Sequence, residues 1–223
     1  MAEQMTFDLP AKTALGRDDF FVSPVNALAV QMLENWPAWP NHKLALIGPK
    51  GAGKTHLVQV WATDTRATVL PARALPDADI PALVDAPIAI EDIREIATDM
   101  PAQEALFHLH NLAQTHGTPL LLTADTAPNH WGLTLPDLQS RMSATTITTL
   151  PAPDDALLSA VLVKLFSDRQ IAVQPDLIAY LIKRMDRSFD AAGQLVAALD
   201  KSALSKGKPI TRKLAATVLD NSP

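Results

Sequence analysis

The sequence predicts an α/β fold in which a parallel β-sheet has helices on both faces and is followed by a smaller, all-helical region. Short apolar runs of strand type alternate with helical patterns up to about residue 150, and only helical patterns follow "PAPD" (151–154). Such alternation is typical of parallel strands joined by helical crossovers. We therefore divide the chain into a tail (1–19), an α/β region (20–150) and a helical region (151–223).

The composition is that of a folded domain and not of a general nucleic-acid binder. The 223 residues are 48% hydrophobic and 19% charged, which is sufficient for a hydrophobic core. The formal net charge of −5 argues against broad electrostatic attraction to nucleic acid. The chain has no cysteine, which excludes disulfides and thiolate metal sites. Since it has neither a secretory signal pattern nor a long apolar segment, we expect a cytoplasmic protein that does not associate with membranes.

The elements of the α/β region follow from apolar spacing and from turn residues. The first helix is predicted over 25–36, where "VNALAVQMLENW" has apolar residues at helical spacing and prolines follow. Five short apolar or β-branched runs predict strands at 43–48, 67–72, 86–93, 118–125 and 145–150. Helical patterns lie between them, directly after the glycine loop at 48–53 and then at 102–117 and 135–142.

The helical region has no convincing strand. Apolar residues recur at helical spacing in four segments, at roughly 154–169, 175–186, 189–205 and 211–220. We predict that these four helices form a small helical lid domain that follows the sheet region.

A glycine-rich loop after the first strand carries the strongest chemical signal. "GPKGAGKT" (48–55) matches in full the pattern G-x-x-x-x-G-K-[ST] of phosphate-binding loops. The glycines let backbone N–H groups point at phosphate oxygens, Lys54 reaches the β- and γ-phosphates, and Thr55 offers a hydroxyl to Mg²⁺. The loop therefore predicts a nucleotide site. Its predicted contacts are Gly48, Pro49, Lys50, Gly51, Ala52, Gly53, Lys54, Thr55 and His56.

Two acidic residues end another apolar strand, "IAIED" (88–92), and are candidates for the metal site. By position, Glu91 faces Mg²⁺ and Asp92 is placed to orient or activate water. A strand-end acidic pair is also common as the solvated start of a loop. Most such sites have aspartate first, whereas here Glu91 is longer by one methylene and Asp92 is shorter than the usual glutamate base. Both differences predict slow hydrolysis.

Several motifs together resemble the AAA+ module of the bacterial replication initiator DnaA. They are "GKTHL" (53–57), the strand ends "IED" and "LTAD", the later "LPDLQSRM", and the helical region, so that the resemblance covers roughly residues 20–221. The sequence is more similar to the Hda-like, DnaA-related regulators, which keep this AAA+ module and lack the DNA-binding domain. The sequence ends at Pro223, where that domain begins in DnaA, so we expect no direct sequence-specific DNA binding.

This resemblance implies roles for individual residues. The segment "FFVSPVNALA" (20–29) corresponds to the one that runs beside the adenine, which suggests Phe21, Val22 and Asn26 as neighbours of the nucleotide. Asp125 falls at the sensor 1 position, where a polar side chain reads the γ-phosphate region. Arg141 matches the arginine finger, which projects into the nucleotide site of a neighbouring subunit and stabilises charge on the transferring phosphoryl group.

One position departs from the family pattern. In the lid helix "FDAAGQLVAALD" (189–200), the family usually has the sensor 2 arginine where this sequence has Gly193. Glycine has no side chain to reach the phosphates, and we do not assign nearby Arg184 or Arg187 to the role. The loss of sensor 2 predicts weaker coupling between nucleotide state and lid angle.

The tail carries the short peptide "QMTFDLP" (4–10). It is similar to the peptide Q-[LM]-x-[LF]-x-[LF] by which replication proteins hold the DNA polymerase sliding clamp, with Gln4, Met5, Phe7 and Leu9 at its fixed positions. Hda-like proteins have this peptide at their N-terminus. The alternative is a strand or hydrophobic staple that packs on the protein's own core.

The resemblance implies a regulator of replication initiation with little or no ATPase activity of its own. Such a protein would bind ADP or ATP with Mg²⁺, dock on the sliding clamp through its tail, and stimulate ATP hydrolysis by DnaA through Arg141, which prevents re-initiation. Whether it forms a homo-oligomer stays open. Two alternatives for its function also stay open: a helper that recruits DnaA without inactivating it, and an autonomous P-loop kinase or ATPase.

Overall fold

The computed structural model describes residues 21–207 and 209–220. The predicted clamp-binding residues Gln4, Met5, Phe7 and Leu9 lie outside the described residues. Within the described part of the chain, no helix combines the length and the hydrophobicity that crossing a membrane would require.

A five-stranded sheet forms the centre of the α/β region. The strands are β1 (Lys43–Ile47), β2 (Thr68–Pro71), β3 (Ile88–Glu91), β4 (Leu120–Ala124) and β5 (Ile147–Thr149). They lie in the order β2-β3-β4-β1-β5, and every neighbouring pair is parallel, which confirms the predicted sheet. Since all strands run the same way, the carboxyl ends of β1, β3 and β4 meet at one edge. That edge carries the loops with the candidate nucleotide residues.

Nine α-helices surround this sheet or follow it within the described residues. They are α1 (Ala27–Glu34), α2 (Lys54–Thr65), α3 (Ile80–Leu83), α4 (Met100–His116), α5 (Pro136–Ser143), α6 (Asp155–Asp168), α7 (Pro175–Ile182), α8 (Phe189–Lys206) and α9 (Arg212–Asp220). All except α3 lie at predicted positions. The four residues of α3 are too few to show a helical period, and Asp79 caps it by accepting a hydrogen bond from the Ala82 N–H.

The start of α4 and the end of α7 differ from the prediction for local reasons. Helix α4 begins two residues early, at Met100, because the Asp99 carboxylate accepts a hydrogen bond from the Ala102 N–H and Pro101 occupies the first turn. Helix α7 ends at Ile182 and not at residue 186, because the chain turns there to begin α8, which Ser188 caps.

Side chains that alternate along the strands divide the core between the two faces of the sheet. On one face, Ile88, Ile90, Leu120 and Leu122 are buried beneath α4. On the other face, alternate residues of the same strands join the cluster of α1 and α2, which includes Leu44, Leu46, Ala89, Leu121 and Trp61. Helices thus cover both faces, as expected for parallel strands.

Helices α6 to α9, which we call the C-terminal helices, have a hydrophobic cluster of their own. Leu162 and Phe166 of α6, Leu181 of α7 and Leu199 of α8 are all fully buried in it. This separate cluster agrees with the predicted change of pattern after residue 150 and leaves the polar start of α8 available for contact with the sheet edge.

Candidate functional site

The phosphate-type loop joins β1 to α2 and depends on its glycines. Gly51 and Gly53 have φ angles of 76° and 94°, in the left-handed region that favours glycine. A Cβ at Gly48 would collide with the carbonyl oxygen of Leu150, which follows β5. Lys54, the first residue of α2, donates hydrogen bonds from Nζ to the carbonyl oxygens of Gly48 at 2.7 Å and Pro49 at 3.1 Å. The loop therefore curls around the lysine ammonium at the N-terminus of a helix.

Glu91 and Asp92 follow β3 and differ in environment. The Thr55 hydroxyl donates a hydrogen bond to the half-buried Glu91 carboxylate, and one oxygen of that carboxylate, Oε1, is buried without a hydrogen-bond partner. Burial raises the pKa of Glu91, and Asp92 adds to the rise, whereas Thr55 and Lys54 lower the pKa. Asp92 has a φ of 57°, and its N–H donates to Thr123 Oγ1 at 3.0 Å. The structure thus brings the two predicted Mg²⁺ ligands, Thr55 and Glu91, into contact.

Asp125 directly follows β4 and is held by an arginine. The carbonyl oxygen of Ala124 accepts a hydrogen bond from the Gly48 N–H at 3.1 Å, which fixes this strand end beside the loop. Arg94 Nη1 donates to Asp125 Oδ1 at 2.9 Å and to Oδ2 at 2.8 Å. The hydrogen bond from Arg94 lowers the pKa of Asp125, and Lys54 also lowers it. Asp125 therefore stays ionised next to the loop.

Opposing electrostatic effects act on Lys54. Burial lowers the pKa of its ammonium, and this is the largest effect. Four carboxylates raise the pKa, namely those of Asp92, Asp125, Glu91 and Asp190. Three of these carboxylates lie at strand ends, but Asp190 belongs to α8, so the C-terminal helices share the electrostatics of the loop.

The start of α8 lies directly on the loop. The Phe189 N–H donates to the Gly51 carbonyl oxygen at 2.9 Å. The Phe189 ring approaches Gly53 so closely that a Cβ there would lie 2.9 Å from Cε2. A Cβ at Gly51 would collide with the Ser188 side chain. The glycines of the loop thus have a second role: they let a helix from the C-terminal part of the chain touch the loop backbone.

These elements enclose a cleft of about 860 Å³, which is within the usual size range of small-molecule sites. Its lining combines the loop, two strand ends, α6 and the start of α8. Of the predicted nucleotide and catalytic residues, the cleft brings together Phe21, Lys50, Gly51, Gly53, Lys54, Thr55, His56, Asp92 and Asp125. Gly193 lines it as well.

Other predicted residues do not line the cleft. Asn26 is buried, donates to the Phe21 carbonyl oxygen at 2.8 Å and accepts from the Ser23 N–H at 2.8 Å. It therefore positions Phe21, which lines the cleft, and does not line the cleft itself. Ala52 is buried, and Val22 is exposed outside the lining.

The cleft fits an adenine nucleotide with Mg²⁺. The loop offers backbone N–H groups and Lys54 to phosphates, and the buried Oε1 of Glu91 and the Thr55 hydroxyl are oxygen ligands of the kind that Mg²⁺ takes. Among residues 21–207 and 209–220, no group of three or more His, Asp or Glu side chains could hold a metal by itself. The remaining Mg²⁺ ligands would be phosphate oxygens and water.

Arg141 does not line this cleft. It is exposed near the end of α5, with its guanidinium carbon 5.2 Å from the centroid of the Phe107 ring. Its charge acts on Lys43, the first residue of β1, whose pKa is lowered to about 8 by burial and then by Arg141. Since the loop follows the last residue of β1, Arg141 lies toward the opposite edge of the sheet. It cannot serve its own cleft from there.

Four contributors to the site were missed by the sequence analysis. Arg94, Ser188, Phe189 and Asp190 all reach the loop or its neighbours. The serine before a helix was a visible capping signal, and Arg94 lies only two residues after the acidic pair. Nothing local indicates that either would meet a loop far away in the sequence.

No protein-family model matches the chain. The structure is similar to domain III of the Thermotoga maritima replication initiation protein DnaA, with a TM-score of 0.81 and 18% identity over 96% of this chain and 98% of that one. The chain has the same fold as this DnaA domain. AMPPCP-bound DnaA from Aquifex aeolicus matches with a TM-score of 0.68 and 17% identity, over 84% of this chain and 65% of that one. A mutant form of Thermotoga maritima RuvB matches with a TM-score of 0.65 and 20% identity, over 88% of this chain and 67% of that one.

The likeness confirms that the chain has the fold that the motifs predicted. At 17–20% identity in these three matches, the likeness is one of fold. The Hda-like role, the clamp peptide and the arginine finger stay predictions.

Proposed function

We propose that the protein binds ADP or ATP with Mg²⁺ and acts as an Hda-like regulator that stimulates ATP hydrolysis by DnaA. The observation that carries the proposal is the loop from Gly48 to Thr55, of which Gly51, Gly53, Lys54 and Thr55 line one cleft. Thr55 also contacts the Glu91 carboxylate. A DnaA of similar fold has been described with AMPPCP bound.

Each part of the cleft has a binding role. The loop N–H groups and the N-terminus of α2 attract the phosphates, and Lys54 neutralises them. Thr55 and Glu91 would hold Mg²⁺, which supplies charge neutralisation for the phosphate oxygens when bound. Phe21 also lines the cleft, and its apolar ring suits the adenine.

The same geometry favours slow turnover by the protein alone. Asp92 is short, its backbone is held in a left-handed conformation, and its N–H is fixed by Thr123. Arg141 lies away from the protein's own cleft, and Gly193 adds no cation to it. The cleft therefore has phosphate-binding groups without a complete set of groups for hydrolysis.

Arg141 is suited to act on a neighbouring molecule. Its guanidinium is exposed, is oriented by the Phe107 ring, and experiences repulsion from buried Lys43. A guanidinium presented in this way can stabilise the charge of a phosphoryl group bound by a partner. The partner that we propose is ATP-bound DnaA, with the clamp peptide at residues 4–9 bringing the two proteins together.

Nucleotide binding is tested by isothermal titration calorimetry with ADP and ATP. Lys54→Ala should weaken both affinities by at least about tenfold, because it removes a charged phosphate ligand. Lys201→Ala, at an exposed position of α8, is the matched control and should bind as the unmodified protein does. Equal binding by the Lys54→Ala protein would contradict the proposal.

The regulatory role is tested by ATP hydrolysis in a mixture of DnaA, clamp-loaded DNA and this protein. Arg141→Ala should abolish the stimulation, whereas Arg73→Ala, at another exposed arginine, should retain it. A Gln4→Ala, Phe7→Ala variant should lose the dependence on the clamp. A helper that recruits DnaA without inactivating it would give no stimulation with any of these proteins.

A further inference from the structure

Arg94 is the one arginine that lines the cleft within the described part of the chain. The cleft is also lined by Lys50, Lys54 and Lys164, and by Gly193, which has no side chain. A guanidinium binds phosphate through two parallel hydrogen bonds, whereas a lysine ammonium acts as a point charge. Arg94 is therefore the cleft residue best suited to recognise a particular phosphate group.

The backbone that carries Arg94 is firmly anchored. Arg94 lies in the turn Ile93–Ile96, and the side chains of both Ile93 and Ile96 are fully buried. The Glu95 N–H donates to the Asp92 carbonyl oxygen at 2.9 Å, and the Asp92 N–H is itself held by Thr123. The guanidinium thus extends from a fixed base that adjoins the Mg²⁺ candidate Glu91.

The guanidinium is only partly engaged. Both of its hydrogen bonds come from Nη1 and go to the two oxygens of Asp125. Its Nε and Nη2 make no hydrogen bond within residues 21–207 and 209–220, so their N–H donors are available to an anion. The Arg94 and Asp125 side chains are 47% and 48% exposed, and both line the cleft. The pair is therefore accessible to a bound ligand.

An exposed ion pair of this kind contributes little to stability, so a role in folding does not explain why Arg94 pairs with Asp125 in the cleft. Lys54, which the loop surrounds, also acts on Asp125 and lowers its pKa. Lys54, Asp125 and Arg94 all line the same cleft, and Arg94 pairs directly with Asp125. A phosphate that extends from Lys54 along this lining can therefore reach Arg94.

We propose that Arg94 binds the terminal phosphate of ATP and thereby distinguishes ATP from ADP, with Asp125 holding the guanidinium in place beforehand. This cation comes from the sheet edge and not from position 193 of α8, where glycine offers none. The inference rests on the proposed nucleotide binding and adds which nucleotide state the site recognises.

The test compares the affinities for ADP and for the non-hydrolysable analogue AMPPCP by calorimetry in the full chain. Arg94→Ala should weaken AMPPCP binding by about tenfold or more and ADP binding by less than about threefold, because only the analogue has the third phosphate. Arg94→Lys should recover part of the AMPPCP affinity. Arg73→Ala is the matched control, since Arg73 pairs with Glu95 beside the same turn but does not line the cleft.

The outcomes separate the inference from the function on which it rests. If the unmodified protein binds both ligands and Lys54→Ala abolishes binding, but Arg94→Ala changes the two affinities equally or not at all, only the role of Arg94 is overturned. If the unmodified protein binds neither ligand, both proposals are overturned. Asp125→Asn removes the carboxylate that holds the guanidinium but leaves Arg94 in the cleft, so it should weaken AMPPCP binding by less than Arg94→Ala does. A loss with Asp125→Asn as large as with Arg94→Ala would assign phosphate recognition to Asp125 and contradict the inference.

Discussion

Replacing Gly193 with alanine tests the structure of α8, the helix that borders the cleft. Gly193 lies inside Phe189–Lys206, its φ is outside the left-handed region, and a Cβ built on it has no atom within 4 Å. Alanine restricts the unfolded chain and meets no obstacle in the folded one. We therefore expect Gly193→Ala to raise the free energy of unfolding by about 0.5–1 kcal/mol. For a protein of this size the increase in Tm is roughly 1–4 °C.

Gly207→Ala is the matched control for this measurement. Gly207 follows the same helix and also has open space around its Cα, but its φ is 58°. Alanine is strained in that conformation, so we expect a loss of about 1 kcal/mol. Thermal unfolding followed by circular dichroism, with urea unfolding alongside, measures both changes. A lower Tm for Gly193→Ala, or an equal gain for both variants, would refute the reasoning.

Three further predictions concern two buried residues of α4 and one residue at the site. Burial, and then Lys43, lowers the pKa of His110 to about 4 from 6.5. The unfolded chain binds more protons below pH 6.5, so stability present at pH 7 should fall by up to about 3 kcal/mol as the pH drops to 4. Urea unfolding should show a weaker pH dependence for His110→Gln, and an unchanged slope would contradict this. Gln103→Leu should lower the free energy of unfolding, measured in urea, by about 2–4 kcal/mol. The reason is that fully buried Gln103 donates to two carbonyl oxygens and accepts from two N–H groups. A loss below about 1 kcal/mol would be inconsistent with that network. Phe189→Ala removes the ring beside Gly53, so a fluorescent ADP should associate about two- to tenfold faster in stopped-flow measurements, and an unchanged rate would argue against obstruction by the ring.

Most helices and strands were predictable because their signals are local. The run "KLALIG" is apolar throughout most of its length, and β1 is buried along all of it, as a central parallel strand must be. Gly117, the last residue of the predicted helix 102–117, predicts the end of α4. In the structure it has the left-handed conformation that ends a helix. In contrast, α3 has only four residues, and no periodic pattern can indicate so short a helix.

The candidate site was predictable where one segment supplies several of its groups. The pattern "GPKGAGKT" predicts the whole loop, because each fixed residue meets a local requirement of backbone curvature or charge. The acidic strand end was a weaker signal, since such pairs are common at loop starts. Its contact with Thr55 required the fold to place β3 near the start of α2.

The groups that complete the cleft depend on segments distant in sequence. Arg94 and Asp125 are 31 residues apart, and they meet because β3 and β4 are adjacent parallel strands. Phe189 reaches Gly51 only because the C-terminal helices fold back over the sheet edge. Gln103 also joins separate segments of the chain. Its side chain bonds Ile96 before α4 and Leu135, which is 32 residues further along the chain.

The sequence by itself determined the alternation of strands and helices, the phosphate-type loop and the DnaA-like motifs, because each depends on residues within a few positions of one another. The clamp peptide at residues 4–9 stays a prediction from the sequence alone. Only the tertiary structure decided the strand order, the pairing of Arg94 with Asp125, and the contact between the start of α8 and the loop. The reason is that a contact between distant segments depends on how the whole core packs, and no local pattern encodes which strand ends become neighbours.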